Sequence, residues 1–570
     1  MLKPISSNDP SVEFCLVGTG PVGIALALEL ERRGHDVLVL ESGDIEVKFS
    51  EASGAEIVDP HRHVSMDLAV CRALGGTSWT WGGRCVPYDA VDWMQRDFVP
   101  ESRWPFGPEE VTRWTRRAAE ILNCGERFDV PYPSKLIDGL NLDSVECWSR
   151  RSQLMLDRRE HILRSERIRL SLKTTVTGMN FSPDGMRVES LEVSTPSGPF
   201  QVRARRFVLA MGGVETTRFL LNVQQKWPAR FGGIDGPLGR YYMGHISGKI
   251  ASVLLDRPRD IKELDFKLDA SVGAFYRRRF MFSAEAQLRH RVLNTAFWPD
   301  NPAFYDPSHH SGVLSAVFLA LAFPPTGRRL LPEGIRLAHT GPRPYPLGAH
   351  MRNAVLGAPR ATADLYKILR DRFLRKPRKP GFLVSNSGGC YALHYHAEQV
   401  PNLHSRITLS RERDSFGVAR ARVDLRYTDQ DIESVIDSHR LLDQALRAND
   451  IGRLSFIYPE KQLRDRVYAQ AADGYHQVGS TRMGTDPRTS VVDSDLRVHG
   501  IANLFVASSS VFPSSGQANS TFLAVTFALR LAEHLDAQRE ARNADAIPLS
   551  GPPFDFVNAG GTLARPCGDV

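Results

Sequence analysis

Three groups of residues in this chain have the types and spacing to do chemistry. Gly18-Thr19-Gly20-Pro21-Val22-Gly23 fits G-x-G-x-x-G. Glycines at these positions allow a tight turn and bring backbone close to a pyrophosphate, whose charge rests on the N-terminus of the following helix. Glu41, with Ser42 beside it, follows about 20 residues on, at the end of the next apolar run. Its carboxylate can accept hydrogen bonds from an adenosine ribose and disfavours a 2′-phosphate, but the unit does not distinguish NAD from FAD. The second group is the loop at 72–84 (RALGGTSWTWGGR). Gly75-Gly76 and Gly82-Gly83 let its backbone approach a flat ring system between aromatic flanks. The third group is titratable. His476 follows Tyr475 in GYHQVGSTRMG, and His394, His396 and Glu398 share one segment. Taken by itself, a lone His such as His476 is more often structural than a base. His394 and His396, two apart, share a face if extended. With no third ligand apparent, these two and Glu398 read as substrate lining rather than a metal site. His245 is a candidate for the domain junction, with a structural role equally open.

These residues need elements to position them. Residues 14–18 (FCLVG) form an apolar run into the glycine loop, 23–33 follow a helical pattern, and 36–40 (DVLVL) form a second run. Strand, glycine turn, helix, strand and acid make a βαβ unit. Residues 208–221 (VLAMGGVETTRFLL) repeat strand, glycine and helix, with Gly212 at the turn. The spacing predicts loop over 60–90, a helix over 106–123 with Pro108 in its first turn, alternating strands over 168–210 and 405–427, and a helix over 429–448. Residues 313–323 (VLSAVFLALAF) predict a buried helix or the apolar wall of a pocket. The topology of 250–400 is not legible, and the Pro/Gly-rich tail at 546–570 is expected to be loosely held.

Composition sets bounds on the function. A chain of 570 residues, 42% hydrophobic and 24% charged, excludes a disordered or fibrous protein and has room for several domains. The net charge is +7. The basic runs at 277–279 and 372–379 are short and lack interleaved aromatics, so they read as solvated surface, not a nucleic-acid platform. The seven cysteines show no metal-ligand spacing, which points to reduced thiols and a cytoplasmic setting. No signal-peptide pattern opens the sequence, and no window approaches the roughly 18 apolar residues needed for a membrane span.

The three motif groups occur in an order that resembles the glucose–methanol–choline (GMC) family of flavoprotein oxidoreductases. Further segments with that resemblance are 107–110 (GPEE), 238–243 (LGRYYM), 398–402 (EQVPN), 491–498 (VVDSDLRV) and 503–522 (NLFVASSSVFPSSGQANSTF). The resemblance covers 12 to about 250 and 390–540, and looks nearest to the sugar-oxidising, pyranose-oxidase-like branch. It implies an α/β Rossmann-like FAD-binding domain with a discontinuous α+β substrate-binding domain. FAD-binding parts would be 1–95, 166–250 and 466–545, with a cap segment at 96–165, a substrate-binding domain at 251–465 and a tail at 546–570. It also implies FAD as cofactor. Its diphosphate would sit on Gly18, Gly20, Pro21, Val22 and Gly23, and its ribose on Glu41 and Ser42. The isoalloxazine would lie along Arg72, Gly75, Gly76, Thr77, Ser78, Thr80, Trp81, Gly82 and Gly83, between Trp79–Trp81 and the His476–Asn519 pair. Val176 would hold the adenine, Gly212 returns to the FAD domain, and Ala507, Ser508, Asn519, Ser520 and Thr521 would touch the flavin. Thr80 stands where some pyranose oxidases carry the His that bonds covalently to flavin, so the FAD is expected to be non-covalent.

In the family's C-terminal signature the His of Y-H-x-V-G is the catalytic base, and it maps onto His476; the second catalytic position maps onto Asn519. The chemistry suits these types. Oxidation of an alcohol by flavin sends a hydride to N5 while the hydroxyl proton leaves. An imidazole can take that proton near neutral pH, and an Asn can donate to the developing alkoxide. The expectation is oxidation of a CH–OH group on a sugar, glycoside or cyclitol, with Tyr475, His394, His396 and Glu398 lining the substrate side. The electron acceptor (oxygen, a quinone or a protein) and the oligomeric state are open. Other readings are a flavin-retaining lyase, a nicotinamide-dependent dehydrogenase, and a flavin-binding partner without chemistry.

Overall fold

The computed structural model describes residues 12–45, 47 and 54–540; the 546–570 tail and Cys567 lie outside them. The strands that matter for the site are β1 (Val12–Val17), β2 (Val37–Leu40), β3 (Ile168–Ser171), β4 (Ala204–Leu209), β5 (His245–Leu255), β6 (Thr295–Asp300), β7 (Cys390–Glu398), β8 (Gly452–Phe456) and β9 (Leu504–Val506). Helices α1 (Pro21–Arg32), α2 (Gly213–Lys226), α3 (Gly312–Ala322), α4 (Leu347–Leu369), α5 (Asp429–Ala448) and α6 (Thr521–Glu540) accompany them.

Five strands form a parallel sheet in the order β9-β4-β1-β2-β3. Their sequences are apolar at consecutive positions, and Phe14, Cys15 and Leu16 of β1 and Val37 to Leu40 of β2 are buried on both faces. That is the signature of a sheet with helices on either side. Because the strands are parallel, their carboxyl ends share one edge. Gly18, Glu41, Ala210 and Ala507 directly follow β1, β2, β4 and β9. Backbone bonds hold these ends in line: Gly18 N–H to Leu40 O at 2.8 Å, Ala210 N–H to Val17 O at 2.8 Å and Ala507 N–H to Leu209 O at 2.9 Å. In open α/β sheets this edge is where ligands bind.

A second sheet, antiparallel in the order β6-β7-β5-β8, draws three strands largely from the region whose topology the sequence left open and β8 from beyond it. Its register sets His245 opposite Glu398, and Ala296 and Ser247 opposite His396. Helix α5 closes one side of its core through Ile432, Val435, Leu442 and Leu446. Residues 312–369 add helices, with α3 crossing α4 at Gly312 and Gly357. A Cβ on either glycine would come within 3 Å of the other's Cα.

The structure corrects two expectations about segments. The helix expected over 106–123 is two short ones, Glu109–Thr112 and Thr115–Leu122. The chain tightens between them, Trp114 N–H bonding Val111 O at 3.0 Å, and Pro108 caps the first helix instead of entering it. The Arg277-Arg278-Arg279 run is not solvated surface. All three side chains are buried: Arg277 on Glu146, Arg278 on the carbonyls of Val130, Leu142 and Pro131, and Arg279 on Gln517 and Ser144. Guanidinium groups can be buried where a carboxylate or several carbonyls meet their donors, and sequence spacing does not reveal such partners.

Candidate active site

A cavity of about 420 Å³ opens along the carboxyl edge of the parallel sheet. Two helix N-termini border it, Pro21 of α1 and Thr521 of α6, and the partial positive charge of both favours an anion there. Gly18 holds φ at +106°, and a Cβ on it would sit 2.4 Å from Ala210 O. A Cβ on Gly20, by contrast, would meet nothing within 4 Å. The side-chain space at Gly20 is therefore open to the cavity, and a dinucleotide backbone can approach it. Glu41 lines the same wall. Its Oε2 accepts from Thr19 N–H (3.0 Å) and Thr19 Oγ1 (2.5 Å), and its Oε1 from Gly43 N–H (2.8 Å). Burial raises its carboxyl pKa, against the lowering by these bonds and by Arg72. Arg72 is held by Glu215 at 3.1 Å. A carboxylate has about four acceptor positions, and the fourth here holds only a long bond from Ser42 Oγ at 3.5 Å, which a ribose hydroxyl can replace. The donor ends, the open glycine and the buried acid together fit FAD.

Most of the residues named from the sequence meet at this cavity: Gly18, Gly20, Pro21, Val22, Glu41, Ser42, Arg72, Gly76, Thr77, Ser78, Thr80, Trp81, Gly82, Val176, Gly212, Tyr475, His476, Ala507, Ser508, Asn519, Ser520 and Thr521. Gly23, Gly75 and Gly83 do not line it. A Cβ on Gly23 would strike Gly18 O at 2.1 Å, so that glycine packs α1 against its own loop. Gly75 and Gly83 carry positive φ and shape the turns on either side of the Trp loop. Trp79 and Trp81 are anchored by their indole N–H groups, to Leu74 O (2.8 Å) and Ser152 O (2.6 Å).

His476 stands at the centre of a hydrogen-bonded chain. Its Nδ1–H donates to Asp473 Oδ2 at 2.9 Å, and its bare Nε2 accepts from Asn519 Nδ2 at 2.6 Å. Asp473 is itself fixed by backbone: Oδ1 accepts from the N–H groups of Gly474, Tyr475 and His476, and Oδ2 from His245 N–H. Burial would push the Asp473 carboxyl up, but the charge of His476 and the bonds from His245 and His476 hold it well below the usual carboxylate range. An ionised carboxylate on Nδ1 selects the tautomer with Nε2 free to take a proton. Asn519 Oδ1 is buried without a partner, facing the same corner.

Behind His476 lie two further buried rings. His245 sits 4.4 Å from His396 and 4.6 Å from His476, centroid to centroid. Burial lowers the pKa of both, helped for His245 by the charge of His476 and for His396 by that of His245. Three imidazoles thus meet here, His245, His396 and His476, without His394. The three rings have ligand atoms within 4.8 Å of one another. Both nitrogens of His476 are engaged, however, and His396 Nδ1–H donates to Gln517 O at 2.6 Å. His245 and His396 thus form a buried wall behind His476.

The other residues of that segment are corrected. Glu398 does not face a substrate; it is buried in a bidentate pair with Arg96 at 2.6 and 2.8 Å and also accepts from Ser514 Oγ. His394 stacks on Trp298, bonds Ser247 and lies outside the cavity lining. Alternation on β7 put His394 and His396 on one face but could not say which neighbours that face would meet.

Residues 401–528, which carry His476 and Asn519, match the family model of GMC oxidoreductase. It is this C-terminal segment, under a quarter of the chain, that is similar to the GMC oxidoreductases. The chain is similar to the fructose dehydrogenase large subunit of Gluconobacter japonicus, 31% identical over 147 residues, 25% of this chain and 24% of that one. It is also similar to the C-glycoside 3-oxidase of Arthrobacter globiformis, 34% identical over 118 residues, 20% and 21% of the two chains. The matched stretches thus span about a quarter or less of these relatives. An FAD-dependent oxidoreductase from Chaetomium thermophilum superposes with a TM-score of 0.51 at 15% identity, over 93% of this chain and all of that one. That likeness shows the shared fold.

The middle of the chain reaches the cavity through Pro332 to Ile335. Gly334 lies against the Tyr475 hydroxyl, 2.7 Å from where its Cβ would stand. A second cavity, about 1660 Å³, adjoins the first at Trp81, Gly82, Pro332 and Ile335 and is walled by α3 through Ala316, Val317, Ala320 and Leu321. The sequence reading missed Asp473, Thr19, Gln477 and this 332–335 wall. Gln477 caps α2, its Oε1 accepting from Val214 N–H at 2.9 Å. The acid three residues before His476 was the available signal for Asp473.

Proposed function

We propose that this protein oxidises an alcohol CH–OH group to a carbonyl with non-covalent FAD, on a sugar, glycoside or cyclitol, with His476 as the base. The observation that carries the reading is the Asp473–His476–Asn519 chain, which opens on the same cavity as the Gly18–Gly20 turn and two helix N-termini. FAD, when bound, supplies the acceptor for the hydride leaving the carbinol carbon. Gly18, Gly20 and the first turn of α1 would hold its diphosphate, Glu41 its ribose, and Ser520 and Thr521 at the N-terminus of α6 the pyrimidine edge.

The chain's own residues handle the proton. The substrate hydroxyl takes the place of the Asn519 amide at His476 Nε2 and gives its proton there, while the displaced amide donates to the substrate oxygen as negative charge grows on it. Asp473 stays ionised and stabilises the imidazolium that results. Thr80 on the flavin side has no imidazole to bond covalently. The names of the sugar- and glycoside-acting relatives support the substrate class, and the large second cavity leaves room for a bulky glycoside. All five parallel strands fall within 1–95, 166–250 and 466–545, in keeping with those as the FAD-binding parts. The described cysteines are free thiols, which fits a cytoplasmic setting. No described helix is long and apolar enough to cross a membrane.

The test is anaerobic mixing of the purified protein with sugars, glycosides and cyclitols while the visible flavin band is followed. At least one class should bleach the band, and acid should release the flavin into the supernatant. A colourless protein, or a flavin that no alcohol reduces, would sink the reading.

A further inference from the structure

The net charge of the chain is concentrated in one place. Residues 312–379 hold thirteen Lys and Arg against three acids, a net +10, whereas the whole chain is +7. The remainder is therefore slightly acidic. Within this segment α4 is apolar on both faces. Its inner side packs on α3, with His350 and Ala361 buried. Its outer side carries Leu347 (48% exposed), Met351 (53%), Val355 (67%), Tyr366 (63%) and Leu369 (53%). At 100° per residue these five fall within about 100° of arc, one stripe along 23 residues. Leu356, 72% exposed, lies about 80° beyond the edge of the stripe, between Arg352 and Lys367. Arg352 and Lys367 flank it, and Lys376 and Arg378 follow it; none of these four makes an ion pair among the described residues. Leu369 also lines the second cavity, so the stripe runs to the mouth of that chamber.

An exposed helix with large apolar side chains and unpaired cations at its margin matches a surface that is apolar inside and anionic outside. We propose that α4 and the basic segment after it dock this enzyme onto an anionic phospholipid surface, lying in the headgroup plane without crossing it. The apolar stripe enters the acyl boundary while Arg352, Lys367, Lys376 and Arg378 meet lipid phosphates. This proposal does not depend on the alcohol oxidation argued above.

The flavin-loaded full chain is sedimented with phosphatidylcholine vesicles, with and without phosphatidylglycerol. Binding is expected to the phosphatidylglycerol vesicles alone and to fall as salt rises. Val355→Ser, Leu356→Ser and Tyr366→Ser combined should leave the protein in the supernatant, with melting and flavin content unchanged. Arg352→Gln with Lys367→Gln should weaken binding about fivefold per charge. Failure of the wild type to bind phosphatidylglycerol vesicles, or equal binding by the triple-serine variant, overturns the proposal. So does a wild-type dimer in sedimentation velocity that the triple-serine variant splits, since the stripe would then be an interface between copies.

Discussion

At the scale of single residues, the proposed base, His476, is defined by what holds it. Asp473 makes five hydrogen bonds, four of them to backbone N–H groups, and only one reaches the His476 ring. Its charge is kept by His476 and by the bonds from His245 and His476, against the burial that would neutralise it. Asp473→Asn keeps the shape and removes the charge. The amide can turn its NH₂ toward Nδ1, which then must accept, and the proton moves to Nε2, the atom that has to be bare. We expect the rate of flavin reduction to drop at least about 10²-fold, with KM and bound flavin little changed. Stopped-flow reduction of the two proteins checks this. A rate within about twofold of wild type would mean that the carboxylate merely ties the 473–476 turn. Tautomer control also explains why Asn519 presents Nδ2 to the ring and leaves Oδ1 unpartnered. A neutral ring that donates from Nδ1 can only accept at Nε2.

At the scale of elements, the βαβ turn separates two glycine roles that the motif string treats alike. Gly18 needs its positive φ, and a Cβ would collide with the Ala210 carbonyl, which belongs to the neighbouring strand's exit. Gly20 sits at φ −63°, where any residue is comfortable, and its missing Cβ faces only the cavity. Gly20→Ala is therefore expected to fold with a melting temperature close to wild type when both are stripped of flavin, yet to retain far less FAD. Gly18→Ala should lose several kcal/mol of stability irrespective of flavin. Thermal melts of the apo forms, with flavin-to-protein ratios after reconstitution, separate the two effects; a Gly20→Ala variant with full flavin content would show that the diphosphate lies elsewhere. The turn, Glu41, the Trp loop and the 429–448 helix were legible because each is a local pattern: strand into glycine into helix, or Thr428 capping an amphipathic run. Glu398 was misread because its partner Arg96 lies 302 residues away. Such pairing depends on the register of β7 against β5 and β6, which no local pattern encodes. The 332–335 wall was hidden because its contact, Gly334 with Tyr475, is likewise remote in sequence.

At the scale of the whole molecule, burial of histidines ties stability to pH. His63, His245, His339, His396 and His439 all have pKa values lowered chiefly by burial, to about 4 for His339 and His439. The unfolded chain binds protons at these rings near the ordinary 6.5 while the folded chain refuses them. Their contribution to stability is therefore complete above pH 6.5, falls as the pH drops below it, and levels off near the folded value. Buried acids act in the opposite sense over part of this range, notably Asp431, whose carboxyl is raised to about 7 by burial. The wild-type curve alone thus mixes both, and a single-site difference is needed. His439 suits it: it is buried on α5, with ring contacts to Phe297, Tyr395 and Phe456, and Nε2 has no partner. Phenylalanine fills the same space among those rings without a proton site. It gives up the bond from Nδ1–H to Val435 O, but that carbonyl keeps its place in the helix ladder. His439→Phe should gain on the wild type as pH falls from 7 to 4, by up to about 3 kcal/mol, which is the proton affinity the folded ring forgoes. Denaturant melts of the two proteins across that range measure the gap. Parallel curves would mean that the His439 ring is protonated in the folded state, in a core that opens to water.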